Sequence, residues 1–208
     1  KQNMIVEPFE QRTEEWLAAH LGIPTASQFK RILTPATAKP SDQSKVYMLE
    51  LLAEWLSGKH EDHYQGYWME RGIEIEPKAR QYYELQRDTE VQQVGFIYRD
   101  EDRLTGCSPD GLVDGGGYEV KCPKASTHMR SLIEQRLPLE YVPQVQGSLW
   151  ITGLEFWDWH SFHPDMPSVI IRVRRDESWI HKLEAAMDTF VGEMLERRVE
   201  LTERGLKL

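Results

Sequence analysis

Hydrophobic residues recur along the chain with two different periods, and these predict helices alternating with strands. Helical spacing of apolar residues marks segments 13–21, 45–58, 66–87, 125–137, 141–152 and 177–198, and a short helix begins near Thr25. Extended runs rich in β-branched and aromatic residues mark strands at 91–98, 104–110, 118–122, 156–162 and 168–174. This order, with three antiparallel strands before the last helices and strands, predicts an α/β (α+β) fold.

Capping residues predict where several of these helices begin and end. Thr13 is a good N-cap for the first helix, with Trp16 and Leu17 facing inward, and Asp176 caps the last one. Gly58 ends the helix over 45–58. The apolar stripe predicted to face the core of that helix is formed by Val46, Leu49, Leu52, Ala53 and Leu56.

A glycine-rich turn at 113–118 joins two of the predicted strands and brings three ionisable side chains together. On the second strand, Glu119 and Lys121 are two residues apart and share one face, while Val120 points the other way into the core. Asp110 lies on or beside the preceding strand. A hairpin therefore brings Asp110 next to Glu119.

Two neighbouring carboxylates repel each other unless a cation neutralises them. Mg²⁺ prefers one or two carboxylates together with water and phosphate oxygens. A lysine beside such a cation can orient an attacking water or help to deprotonate it, so the hairpin has the parts needed for phosphodiester hydrolysis. The same residues also fit a plain Asp-Gly turn and an ordinary exposed ion pair.

Composition limits the class of protein. The chain has 208 residues, of which 40% are hydrophobic and 28% charged, as expected for one soluble domain. No apolar run approaches the length of a membrane span and no secretory signal pattern opens the chain, so Cys107 and Cys122 are expected to be free thiols. A net charge of −9 argues against a general nucleic-acid coat protein but is compatible with a nuclease whose acidic groups hold metal.

Hydroxyl and basic side chains in the first fifty residues offer a candidate phosphate site. Thr25 and Ser27 stand at a predicted helix start, where free N–H groups favour anions, although local evidence alone favours simple N-capping. Lys39 lies in a loop at 34–44 that either lines a substrate path or is a solvated connector.

Two further groups of ionisable residues are candidate ligands. Glu74 and Glu76 lie near a predicted helix break at Gly72 or Pro77, where a carboxylate could join the hairpin, or they belong to a solvated acidic face. His160 and His163 form a loose pair without a third ligand, which is a weak zinc signal.

Seven blocks of the chain together resemble the YqaJ-type viral recombinase family, which includes phage lambda exonuclease and belongs to the PD-(D/E)xK nucleases. The blocks lie at 16–27, 51–54, 76–80, 97–101, 107–112, 119–123 and 144–150. The chain is also similar to prophage-encoded alkaline exonucleases. The resemblance implies a PD-(D/E)xK restriction-endonuclease-like core, a central mixed sheet flanked by helices. It implies one nuclease domain over 1–208, divided into a helical part at 9–60, a catalytic core at 66–175 and a C-terminal helix at 177–198.

The resemblance also implies an activity. The expected enzyme is a Mg²⁺-dependent, processive 5′-to-3′ exonuclease that digests one strand of linear duplex DNA, with two metal ions and Mn²⁺ as a substitute. Its expected partners are a single-strand annealing protein and two further copies of the chain in a ring-shaped homotrimer, with no membrane. The resemblance further implies that a phage or prophage encodes the protein and that the protein acts in the cytoplasm of a bacterial host. The alternatives are another PD-(D/E)xK nuclease, RecB-like or endonucleolytic, and a catalytically inert DNA-end-binding module.

Residue roles carried over from the family fall on the hairpin and its surroundings. Asp110, Glu119 and the backbone carbonyl of Val120 are expected to bind metal, and Lys121 to activate the water. Two residues outside the hairpin are also implied: Glu76 for the second metal and Gln144 as a support.

The family resemblance implies a second site, for the 5′-phosphate of the DNA end. Its expected residues are Thr25, Ser27, Ser108, His20 and Lys39, and Met69 falls where the family has an apolar wedge that splits the duplex. His20 stands where the family carries an arginine. Because arginine is always charged and binds phosphate bidentately, whereas histidine is not always charged, this difference bears on the strength of 5′-phosphate dependence.

Overall fold

Seven strands and six α-helices make up the part of the chain that the structure describes. The computed structural model describes residues 4–60 and 67–206, with side chains from residue 74 onward in the second segment. The strands are β1 (Ile5–Glu7), β2 (Phe96–Tyr98), β3 (Gly106–Cys107), β4 (Gly111–Val113), β5 (Gly116–Lys121), β6 (Phe156–Ser161) and β7 (Val169–Arg174). The helices are α1 (Glu14–Ala19), α2 (Ser44–Ser57), α3 (Tyr67–Arg87), α4 (Ala125–Glu134), α5 (Val142–Thr152) and α6 (Glu177–Glu203), with 3-10 helices at Ala26–Arg31 and Leu139–Tyr141.

The strands form two sheets. One is antiparallel, in the order β1-β2-β3. The other has the order β4-β5-β6-β7 and is mixed, because β5 and β6 run parallel while its other pairs are antiparallel. The predicted α/β fold with a mixed sheet is therefore confirmed. The predicted three-strand meander is wrong in one respect, because β2 and β3 belong to one sheet whereas β4 and β5 belong to the other. The division falls at Pro109, which has no backbone N–H to donate to a neighbouring strand.

Strand β5 is covered on both faces, and this places its alternate side chains in different environments. Tyr118 and Val120 pack with Ala79 and Tyr83 of α3 in one apolar cluster. The opposite face belongs to the larger core, which α5 and α6 cover with residues such as Leu149 and Leu183. Glu119 therefore points towards α5, and Val120 enters the core below α3 as predicted.

The predicted caps at Thr13, Gly58 and Asp176 are confirmed. The hydroxyl of Thr13 accepts a hydrogen bond from the backbone N–H of Trp16, and Asp176 accepts one from Trp179. Gly58 follows α2 with a left-handed φ of 70°, which glycine adopts without a steric penalty. The last helix continues to Glu203, beyond its predicted end at 198.

The predicted core faces of two helices are partly wrong. Val46 and Leu49 are 54% and 66% exposed and Leu17 is 41% exposed, whereas Leu51 and Leu52 of α2 are buried. Since α2 is apolar on more than one side, spacing alone cannot decide which side meets the core.

The predicted strand over 91–98 is shorter than expected. Only Phe96–Tyr98 forms a strand, and Gln92 makes an isolated bridge to Leu112. The sequence pattern also missed β1, whose three residues are too few for a period. Cys107 and Cys122 are not joined in a disulfide, as predicted. No helix within 4–60 and 67–206 is long and apolar enough to cross a membrane.

Candidate active site

The hairpin of β4 and β5 sets Asp110 beside Glu119. The pairing register joins Gly111 to Tyr118, so the residues before and after this pair meet across the hairpin. Oδ2 of Asp110 accepts a hydrogen bond of 2.7 Å from the backbone N–H of Val120. This bond fixes the Asp110 carboxylate at the edge of the mixed sheet.

Glu119 is the centre of a short hydrogen-bond network. Its Oε1 accepts from Nζ of Lys121 at 2.6 Å and from Nε2 of Gln144, on α5, also at 2.6 Å. The Glu119 side chain is 5% exposed and that of Lys121 is 28% exposed. Glu119 is therefore a buried carboxylate hydrogen-bonded to a half-buried Lys121, rather than part of the exposed ion pair that the sequence left open.

Burial and charge perturb the ionisation of this cluster. Burial, reinforced by the neighbouring Glu119 carboxylate, raises the pKa of Asp110 well above its ordinary value. Burial lowers the pKa of Lys121, but the carboxylates of Glu119 and Asp110 outweigh this effect, so its pKa is raised. Two carboxyl groups therefore share one ammonium group, and ionisation of Asp110 would add a second negative charge beside Glu119. A hard divalent cation would relieve the imbalance, and carboxylate oxygens are the ligands that Mg²⁺ prefers.

A cavity of about 380 Å³ opens beside Asp110. Glu76, Arg12, Arg80 and Val120 also line it. Glu76 does not turn to the hairpin carboxylates, because its Oε2 forms an ion pair of 2.8 Å with Arg12. Among the residues described, no three His, Cys, Asp or Glu side chains are grouped to hold a metal. Glu74 is exposed.

A smaller polar cavity, of about 110 Å³, lies beside Gln144, the residue that bonds Glu119. Its lining is formed by Trp16, His20, Thr25, Ala26, Ser27, Cys107, Ser108, Gln144 and Ser148. The predicted phosphate residues Thr25, Ser27 and Ser108 thus come together. Thr25 and Ser27 are 3.3 Å apart through their hydroxyls, and Ser108 accepts from the indole of Trp16 at 2.8 Å. The helix predicted at Thr25 is a six-residue 3-10 helix, and the Thr25 side chain does not cap it.

His20 lines this cavity in an orientation that limits what it can donate. Its Nδ1 lies 2.7 Å from the carbonyl oxygen of Trp16, which can only accept, so Nδ1 carries a proton. Burial lowers the pKa of His20 more than the hydrogen bond to Trp16 raises it. Neutral His20 therefore presents Nε2 as an acceptor, and only the protonated ring can donate to a phosphate.

The remaining predicted residues lie elsewhere. Lys39 is exposed in a turn that Thr34 closes, and it is not among the residues lining either cavity. The Met69 side chain lies outside the described residues. His160 contacts the hydroxyl of Tyr118 through Nδ1 at 2.9 Å, and Nδ1 of His163 accepts from the backbone of Asp165, so both have structural partners.

Sequence reasoning missed Arg12 and Arg80, the two guanidinium groups that line the larger cavity. Arg80 lies within a block quoted for the family, and its position four residues after Glu76 on one helix was a usable signal. Arg12 gave no signal. Its backbone has a φ of 69°, which is uncommon for residues other than glycine, and its partner is 64 residues away.

The fold and the charged side chains around Glu119 together define a nuclease. The chain belongs to the YqaJ-like viral recombinase domain family, whose model matches residues 15–155. It is accordingly a deoxyribonuclease of the exonuclease type. Enzymes of this kind typically depend on metal.

Two solved proteins are similar to this chain. An alkaline exonuclease (LHK-Exo) from Laribacter hongkongensis is 34% identical over 93% of this chain and 97% of its own, with a TM-score of 0.81. Its complex with dAMP gives the same values. A phage related exonuclease from Haemophilus somnus 129PT shares the fold at 15% identity, over 85% of this chain and 96% of its own, with a TM-score of 0.65. No curated protein matches the chain.

Proposed function

We propose that the protein is a Mg²⁺-dependent exonuclease that digests one strand of linear duplex DNA from its 5′ end. One observation carries this proposal: Gln144 both bonds Glu119 and lines the small polar cavity. The Glu119 carboxylate thus lies one side chain away from a cavity lined by hydroxyl groups. A phosphate held by those hydroxyls would leave a neighbouring phosphodiester bond near Glu119, as cleavage from an end requires.

The residues of the hairpin divide the chemical work. Asp110 and Glu119, with the backbone carbonyl of Val120, would hold the cation, and Glu76 would reach a second ion after leaving Arg12. When bound, Mg²⁺ lowers the pKa of water and stabilises the charge on the phosphoryl oxygens. The Lys121 ammonium would donate a hydrogen bond that orients the water, and Gln144 would keep Glu119 in position. That LHK-Exo binds dAMP, a mononucleotide, supports a nucleotide product here.

The small cavity would receive the terminal 5′-phosphate. Thr25, Ser27 and Ser108 supply hydroxyl donors, and His20 adds a charged donor only when it is protonated. Lys39 would act from its loop at a greater distance.

The wider biological role extends the same proposal. A single nuclease domain would assemble as a homotrimeric ring, and enclosure of DNA would explain processive digestion by an acidic protein. Met69 would split the duplex end. The 3′ tails would serve a single-strand annealing protein, in the cytoplasm of a bacterial host.

Strand-specific labelling tests the polarity. A linear duplex labelled internally on both strands carries a 5′-phosphate on one end and a nuclease-resistant linkage at the other 5′ end, and a nick-free circle is digested in parallel. The proposal expects mononucleotides from the strand with the free 5′ end only, and an intact circle. Cutting of the circle would identify an endonuclease, and absence of any Mg²⁺-dependent cutting would identify a DNA-end-binding module.

A further inference from the structure

Arg12 has an unusual backbone that the surrounding residues hold in place. Its φ of 69° lies in the left-handed region, which disfavours side chains other than glycine. The preceding residue, Gln11, donates its side-chain amide to the carbonyl oxygens of Val94 at 3.1 Å and Pro109 at 2.7 Å. Thr13 donates to the carbonyl of Glu10 at 2.7 Å. The turn is thus fastened to the residue immediately before Asp110.

The turn directs the Arg12 guanidinium into the cavity beside Asp110. There it pairs with Glu76 at 2.8 Å, with side-chain exposures of 50% for Arg12 and 29% for Glu76. An ion pair this exposed contributes little to folding. The pair therefore does not explain why an unfavourable backbone conformation is kept at this position. Two features distinguish Arg12 from Arg103, which also has a positive φ: Arg12 lines the cavity beside Asp110, and its turn is bonded to the residue before Asp110.

We infer that Arg12 is a DNA-phosphate-binding residue that Glu76 occupies in the free protein. This inference rests on the deoxyribonuclease function proposed above. A guanidinium binds carboxylate and phosphate oxygens with the same bidentate geometry, so a DNA strand entering the cavity can replace Glu76. The exchange places a backbone phosphate beside Asp110 and releases the Glu76 carboxylate.

The inference predicts an unusual effect of mutation on DNA binding in the absence of metal. Glu76 competes with DNA for Arg12, so removal of the Glu76 charge should strengthen binding, and the gain should require Arg12. A purely structural ion pair predicts neither the tighter binding nor its dependence on Arg12. Binding in EDTA measures this competition without cleavage and without any metal ligand role of Glu76.

A second ion pair in the chain provides a closely matched control. Arg103 also has a left-handed φ, of 55°, and pairs with Glu7 at 2.8 Å, with exposures of 50% and 21%. Neither residue is among those lining the cavity. Arg103→Gly and Glu7→Gln therefore reproduce the charge change and the backbone relief away from the site. Glycine adopts a positive φ without strain, so Arg12→Gly keeps the turn.

The experiment measures fluorescence anisotropy of a duplex with a 5′-phosphate end, in EDTA, over a series of KCl concentrations. The proteins are the wild type, Arg12→Gly, Glu76→Gln, the double variant and the two control variants. Arg12→Gly is expected to weaken binding about tenfold and to reduce the slope of log K against log salt by about one, as for one lost phosphate contact. Glu76→Gln is expected to tighten binding, and the double variant to bind like Arg12→Gly.

Two results would overturn the inference. One is an Arg12→Gly protein that binds with the affinity and salt slope of Arg103→Gly. The other is a gain from Glu76→Gln that survives in the double variant. Addition of Mg²⁺ to the wild-type complex keeps the two proposals apart. Cleavage there with no effect of Arg12→Gly refutes only the role of Arg12, whereas absence of cleavage refutes the exonuclease.

Discussion

Gln144 donates its side-chain amide to Oε1 of Glu119 at 2.6 Å, and this bond ties α5 to strand β5. Lys121 donates to the same oxygen, so Oε2 of Glu119 accepts neither of these two bonds. The network orients a buried carboxylate from two elements at once. Orientation of a ligand by a neighbouring donor commonly changes metal affinity or activity by ~10- to 100-fold.

Replacement of Gln144 by methionine, which keeps the side-chain volume and removes the donor, should lower the cleavage rate ~10- to 100-fold with little loss of stability. Gln146 provides the control. Its buried side chain donates to the carbonyl oxygen of Arg174 and accepts from the backbone N–H of Asp176, both at 2.9 Å. Gln146→Met should cost about 2 kcal/mol of folding and leave the rate per folded molecule unchanged. Initial rates and urea denaturation separate the two effects, and equal rates for Gln144→Met and the wild type would refute the role of Gln144.

Asp110→Asn should abolish cleavage and yet stabilise the protein in EDTA. The pKa of Asp110 is raised by burial and by Glu119, so the folded state binds this proton more tightly than the unfolded chain does. Stability contributed by this group is therefore lost as the pH rises through the raised pKa. Asparagine does not ionise, so the variant avoids this loss, and its amide oxygen can still accept the hydrogen bond from the backbone N–H of Val120. Thermal unfolding in EDTA at several pH values measures the effect.

Added Mg²⁺ should make the wild type more stable than Asp110→Asn, the reverse of the order expected in EDTA. A cation held by Asp110 and Glu119 stabilises the wild type by about 2.7 kcal/mol at one hundred times its dissociation constant, and Asp110→Asn should gain much less. An equal gain in both proteins would place the cation elsewhere.

The preference for a 5′-phosphate should depend on pH through His20. Burial lowers the pKa of this ring, so at pH 8 it is neutral and its Nε2 cannot donate. The ratio of rates on phosphorylated and hydroxyl ends should therefore be small at pH 8 and rise as the pH falls. His20→Arg should raise the ratio at pH 8 about tenfold, because a guanidinium is charged throughout. A large ratio at pH 8 that His20→Gln leaves unchanged would exclude this residue.

Acid should destabilise the fold through His160. Burial, together with His128 and Arg87, lowers the pKa of His160 from 6.5 to about 4. The unfolded chain thus binds the proton first, and the free energy of unfolding should fall by about 2 kcal/mol between pH 7 and pH 5. His160→Gln should remove this part of the pH dependence in urea denaturation, while His181→Gln, at an exposed position, should keep it. The same slope in His160→Gln would contradict the assignment.

Local patterns predicted the elements whose geometry is local. The two-residue spacing of Glu119 and Lys121 on a strand sufficed to put both on one face, and the glycine turn sufficed to bring Asp110 across. Long-range contacts were beyond such patterns. The pairing of Arg12 with Glu76 depends on a left-handed turn, and the exposure of Leu49 depends on which face of α2 meets α6.

Release of acid-soluble nucleotides from a linear duplex tests the nuclease site most directly. The wild type should release them with Mg²⁺ and not with EDTA, and Asp110→Asn, Glu119→Gln and Lys121→Met should each lose at least about a hundredfold in rate. Circular dichroism should show that all four proteins are folded. Release by Asp110→Asn or Glu119→Gln at the wild-type rate, or release that persists in EDTA, would contradict a cation-dependent site on this hairpin.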